Sequence, residues 1–79
     1  MTYNVILSAQ ARKFLQQQDA HIQLRLRKGL ATLKDPFRVL EHFEGDCYKL
    51  RIGDYRALCD VEENTVLVRV LENRGRAYK

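Results

Sequence analysis

An α+β fold is predicted for this chain, with a helix hairpin packed on one face of a small antiparallel sheet in the order β-α-α-β-β-β. Three features predict it. An alternating segment comes first, two amphipathic segments of helical spacing follow, and three β-rich runs joined by short turns close the chain. Its 79 residues suit one domain, 1–79.

In the first strand Tyr3, Val5 and Leu7 fall on one side and Asn4 and Ser8 on the other, with Ile6 out of pattern. Ser8 is placed to cap a helix from Ala9 to about Gln18, whose Ala11, Phe14 and Leu15 form one stripe. Asp19 is the next N-cap candidate. After it Ile22, Leu26, Leu30 and Leu33 recur at helical spacing, with Leu24 off the stripe. Gly29 costs about 1 kcal/mol relative to Ala inside a helix, so it is expected where another backbone comes close. Asp35-Pro36 ends the helix, because a residue before proline is pushed out of the α region. Phe37 to Asp46 has no clean period and reads as a loop pinned to the core by Val39, Leu40 and Phe43, with a turn at Gly45-Asp46.

The last third carries the runs CYKLRI, YRALCDV and TVLVRVL, separated by Gly53-Asp54 and Glu63-Asn64. Two-residue loops there make an antiparallel meander in which Arg51 pairs with Arg56, Lys49 with Leu58, Cys59 with Val68, Ala57 with Val70 and Leu58 with Arg69. Alternation then puts Tyr48, Leu50, Ile52, Tyr55, Ala57, Cys59, Val61, Val66, Val68 and Val70 on a core face. The other face collects Lys49, Arg51, Arg56 and Arg69, with Leu58, Leu67 and Leu71 between them. Like charges at paired positions are destabilising. Two readings stay open: a phosphate-binding surface, or a solvated face whose cations splay apart and are offset by Asp60.

Composition narrows the classes. Fourteen basic against ten acidic residues give a net charge of +4. No run approaches the roughly 20 apolar residues of a membrane span, and the first residues do not read as a secretory signal. A cytoplasmic protein without membrane attachment is expected. The length excludes a dinucleotide-binding unit with a substrate domain. Cys47 and Cys59 fall on opposite faces, so they are expected as reduced thiols. Two thiols and two distant histidines give no metal-site spacing, and no metal or cofactor is expected.

The segments Cys47-Tyr48-Lys49-Leu50-Arg51-Ile52-Gly53-Asp54-Tyr55-Arg56 and Asn73-Arg74-Gly75-Arg76-Ala77-Tyr78-Lys79 resemble the RelE family of toxin–antitoxin toxins, most of all its archaeal branch. Lys34-Asp-Pro-Phe-Arg38 also stands where such toxins carry Asn-Pro or Asp-Pro after the second helix, so the likeness runs nearly the length of the chain. It implies the microbial RNase-like RelE fold and a metal-independent mRNA interferase that cleaves messages in the ribosomal decoding site. It also implies a RelB-like antitoxin as partner. By the same likeness Lys49 and Arg51 hold and polarise the RNA backbone, Arg56 contacts the scissile phosphate, Arg74 is a main determinant of toxicity and Tyr78 is the general base. Apart from the family roles, Arg69, Arg76 and Lys79 are expected to add RNA contacts, and Arg25, Arg27 and Lys28 on the second helix either meet ribosomal RNA or form a solvated helix face.

The chemistry is consistent with these residue types. The ribose 2′-hydroxyl can attack the adjacent phosphate if a proton is removed and the growing charge is stabilised. Guanidinium forks suit the second task. His21 and His42 are too distant in sequence to serve the first, and no carboxylate is expected in the patch. Tyr78 remains, favoured toward phenolate by nearby cations. Such a weak acid–base set needs an external scaffold to orient the RNA, as the ribosome would. The rivals are a ParE-like gyrase inhibitor of the same fold and a non-catalytic homologue that binds RNA or antitoxin.

Overall fold

The computed structural model describes residues 2–73. Strand β1 (Asn4–Leu7) leads into helices α1 (Ala9–Gln16) and α2 (Ala20–Ala31), two short 3-10 turns (Thr32–Lys34 and Pro36–Arg38), and then β2 (Glu41–Glu44), β3 (Cys47–Ile52), β4 (Tyr55–Glu62) and β5 (Thr65–Asn73). The five strands form one sheet in the order β1-β5-β4-β3-β2. The sheet is mixed rather than wholly antiparallel: β2 to β5 form the antiparallel meander, and β1 joins β5 in parallel, Asn4 opposite Thr65 through Leu7 opposite Val68.

Local chemistry explains the elements. Ser8 caps α1, its hydroxyl accepting from the Ala11 N–H at 3.1 Å and donating to the Arg69 carbonyl at 2.6 Å. The helix ends at Gln16, two residues short of expectation. The Gln18 and Gln23 side-chain amides then donate to backbone carbonyls of Phe14, Gln16 and Gln18, which secures the short connection. Asp19 holds the N-cap position of α2 without a side-chain capping bond. The apolar stripe is as expected, with Leu26 and Leu30 of α2 buried and Leu24 exposed, but α2 ends at Ala31 rather than at Asp35-Pro36, and the buried Leu33 lies in the 3-10 turn that follows. Gly29 makes room for a side chain, not for a backbone: a methyl there would lie 2.6 Å from Ile52 Cδ1 on β3.

The core lies between the helices and one face of the sheet. Ala11, Leu15, Leu26 and Leu30 meet Leu50, Ile52, Tyr55, Ala57, Cys59, Val66, Val68 and Leu71. Both two-residue turns are present, with Gly53 at φ 59° and Glu63 at φ 53°, and the pairs Arg51–Arg56, Lys49–Leu58 and Cys59–Val68 stand as expected. Cys47 and Cys59 are free thiols.

Two bulges depart from the expected pattern. Segment 37–46 contains strand β2, with an irregularity between His42 and Glu44 that makes Phe43 the extra residue. Val39 and Leu40 pack on the core, but Phe43 does not. In β5 the register shifts at Arg69, so Leu58 pairs with Val70, Ala57 with Leu71 and Arg56 with Glu72. Leu71 rather than Val70 therefore enters the core, and Glu72 turns to the opposite face. The bulge is where β1 ends: the Ser8 N–H donates to the Val68 carbonyl, and beyond it the Gln10 side-chain amide bonds the Leu71 N–H and carbonyl at 3.1 and 3.2 Å, continuing the edge pairing.

Candidate nucleic-acid interface

The face turned away from the helices is built by alternation along β3 and β4. Lys49 and Arg51 lie two residues apart on β3, and Arg56 lies directly across from Arg51 on β4. The meander thus brings three of the expected residues together. Arg69 sits at the β5 bulge, farther along the sheet beside Asp60. Arg74, Arg76, Tyr78 and Lys79 lie outside the described residues.

Carboxylates share this face, contrary to the expectation of a patch without them. Glu72 forms an ion pair with Arg56, both half-buried, their side chains 30% and 16% exposed. Glu41 lies 3.9 Å from Lys49, and Asp60 lies 3.3 Å from Arg69. The Asp60 contact is the one that the solvated-face reading anticipated. The carboxylates were missed because Glu41 belongs to an unrecognised strand and Glu72 lies past an unrecognised bulge. Arg51 is exposed and has no carboxylate within ion-pair reach among the described residues.

Phe43 completes the face. The residue is 39% exposed, and the Lys49 ammonium lies 5.9 Å and the Arg56 guanidinium 5.4 Å from its ring centroid, both within cation–π range. An aromatic in an aperiodic, charged stretch beside a basic strand was the available sequence signal.

Neither histidine joins the cations. His21 is exposed on α2, and His42 pairs with Tyr48 toward the other face, its Nε2 2.7 Å from the Gly45 carbonyl oxygen. On α2, Arg25 and Arg27 are exposed and point to different neighbours. Arg25 reaches the β3–β4 turn, where a methyl on Gly53 would meet its guanidinium carbon at 3.4 Å, while Arg27 lines a shallow cleft with Val5, Leu7 and Lys34. No cluster of metal-ligating side chains occurs among the described residues, and no described helix is long and apolar enough to cross a membrane.

This face can hold a phosphate through Arg51 and Arg56, with Lys49 beside them, and an aromatic lies within the same patch. Residues 5–77 match the sequence model described as the ParE toxin of type II toxin–antitoxin system, parDE. No curated protein sequence matches the chain significantly. Among solved structures, the RelE–RelB complex of Pyrococcus horikoshii superposes with a TM-score of 0.77 at 28% identity, covering 96% of this chain and 99% of that one. The RelBE2 toxin–antitoxin complex of Mycobacterium tuberculosis gives 0.83 at 22% identity, covering 94% and 100%. The Escherichia coli RelBE complex gives 0.71 at 23% identity, covering 90% and 95%. The two helices on a five-stranded sheet match these RelE structures, and the match of nearly the whole chain to the toxin model settles its kinship: the chain belongs to the ParE toxin family of type II toxin–antitoxin systems, within the RelE/ParE superfamily.

Proposed function

We propose that this toxin is a metal-independent endoribonuclease that cleaves mRNA on translating ribosomes in the cytoplasm, and that a RelB-like antitoxin neutralises it. The observation that carries the reading is the cross-strand pair Arg51–Arg56, with Lys49 two residues away on the same open face. A like-charge pair at directly opposed positions costs stability, and a phosphate seated between the two guanidiniums offsets that cost. Arg51, exposed and without a carboxylate partner among the described residues, is the cation free to take the first phosphate oxygen. Arg56 follows as the phosphate displaces Glu72, and its charge then stabilises the extra negative charge of the pentacovalent transition state. Tyr78 is assigned the removal of the 2′-hydroxyl proton; the 2′-oxygen bonds the phosphorus as the P–O5′ bond breaks, leaving a 2′,3′-cyclic phosphate and a 5′-oxygen that takes a proton from water, while Arg74 is assigned a second charge-stabilising role and Arg69, Arg76 and Lys79 further RNA contacts. Arg25, Arg27 and Lys28 are assigned contacts to ribosomal RNA. The antitoxin assignment is supported by the RelB-bound state of the Pyrococcus, Mycobacterium and Escherichia relatives.

The test is expression of the toxin with mapping of 5′ ends in ribosome-bound messages, alongside plasmid supercoiling. The expected result is growth arrest with new 5′ ends inside translated codons, suppressed by Arg51→Ala, Arg56→Ala and Arg74→Ala. Arrest with intact messages and altered supercoiling would instead identify a gyrase inhibitor. Intact messages with no arrest would identify a non-catalytic homologue.

A further inference from the structure

We propose that Phe43 is a stacking platform for a nucleobase of single-stranded RNA, placed beside the cations that hold the RNA phosphates. The inference rests on the RNA-binding part of the reading above and adds a base-recognition subsite to it. Phe43 is the extra residue of the β2 bulge, and it lies two residues on from Glu41, which is opposite Lys49, so its ring shares the cation face. A ring of this size is usually buried, yet all four residues of β2 are exposed and Phe43 takes no part in the core. Its described ring contacts are the charged ends of Lys49 and Arg56, at 5.9 and 5.4 Å from the centroid. These same side chains are assigned to the RNA backbone, so a nucleotide whose phosphate engages Arg56 has its base within reach of the ring. An exposed aromatic interleaved with cations on an open sheet is the arrangement by which single strands are bound. The cations take phosphates, the ring takes a base face, and sequence preference is slight because every base has a π-face. Lys49 and Arg56 already polarise the ring, and an added base stacks on apolar area that is otherwise left in water.

The experiment is fluorescence anisotropy of the full-length toxin with two short oligonucleotides of equal length and charge, an oligoadenylate and its abasic ribose-phosphate counterpart. The wild type should bind the oligoadenylate about tenfold more tightly than the abasic strand, in line with the worth of one base–aromatic stack. Phe43→Leu should erase that ratio and leave abasic affinity unchanged, and Phe43→Trp should keep or raise it. Equal wild-type affinity for the two strands, or binding to neither, overturns the proposal. So does a Phe43→Leu variant that weakens both strands alike, since the ring then only positions Lys49 and Arg56. If Phe43→Leu spares RNA but weakens capture of the antitoxin, the ring belongs to a protein interface and the proposal fails. Cleavage is read separately: base-dependent binding without message cleavage removes the nuclease assignment alone, and cleavage without base dependence removes this subsite alone.

Discussion

Arg51 and Arg56 face each other across β3 and β4, but their surroundings differ. Arg56 is half-buried, ion-paired to Glu72 and set against the Phe43 ring, whereas Arg51 is exposed without a carboxylate partner among the described residues. Arg56→Ala leaves Glu72 without that partner and should cost about 1–2 kcal/mol. Arg51→Ala removes one member of a repelling pair and should change stability by no more than about 0.5 kcal/mol in either direction. Urea unfolding of the two variants checks this, and equal losses would mean that the ion pair contributes nothing. Cys59 offers a second test at this scale. It is fully buried, and its thiol is pushed up to about 12, first by burial and then by nearby Cys47 and Asp60. In the unfolded chain a thiol ionises near 8.5. The folded state keeps its proton where the unfolded state has lost it, so stability is full below about pH 8.5 and falls as pH rises toward 12. At pH 10.5 the loss from this group amounts to about 3 kcal/mol. Cys59→Val should remove that part of the alkaline decline in unfolding free energy, and identical pH profiles for the two proteins would show the thiol to be uninvolved.

Helix α2 and strand β3 fit closely where they cross. A methyl on Gly29 would lie 2.6, 2.7 and 3.0 Å from three carbons of the Ile52 side chain, which is buried and cannot swing away freely. Gly29→Ala gains about 1 kcal/mol of helix propensity but overpacks the contact at a cost of about 1–3 kcal/mol. The variant should therefore be less stable than the parent. Adding Ile52→Val should recover part of the loss, and a double-mutant cycle showing no coupling would refute the contact as its cause. Elements of this kind were largely legible in the sequence. Ser8 as a cap, the stripe of α2, and the two-residue turns at Gly53-Asp54 and Glu63-Asn64 follow from local chemistry, and the turns alone place Lys49, Arg51 and Arg56 on one face. The bulges were not legible. An extra residue in a strand has no side-chain signature when the bulged positions are Phe43 and Arg69, both ordinary in strands. In the run from Val68 to Leu71, either Val70 or Leu71 would satisfy a hydrophobic pattern, and only packing against α1 and the Gln10 side chain decides for Leu71. Glu72 was missed because it lies just past a bulge, whereas Phe43 was read into the core because its strand, β2, has no clean period.

Across the whole molecule the charge is less lopsided at the site than the net +4 suggests. Lys49, Arg56 and Arg69 each have a carboxylate within 4 Å, from Glu41, Glu72 and Asp60, and Arg51 alone of the four described cations on this face does not. A face balanced in this way attracts free RNA weakly at long range, because each phosphate must displace a resident carboxylate before it gains a cation. That property fits the proposed function, in which the ribosome positions the substrate. Replacing the three carboxylates together, by Glu41→Gln, Asp60→Asn and Glu72→Gln, should therefore convert the face into a general single-strand binder. Affinity for the oligoadenylate at low salt should rise at least tenfold, and the log–log salt slope should steepen by up to about 2, at about 0.7 for each cation released to a phosphate. The ratio of oligoadenylate to abasic affinity should stay where the wild type has it, since stacking on Phe43 does not depend on these charges. Anisotropy titrations at several salt concentrations measure both quantities, and an unchanged slope would mean that the carboxylates do not compete with phosphate for this face.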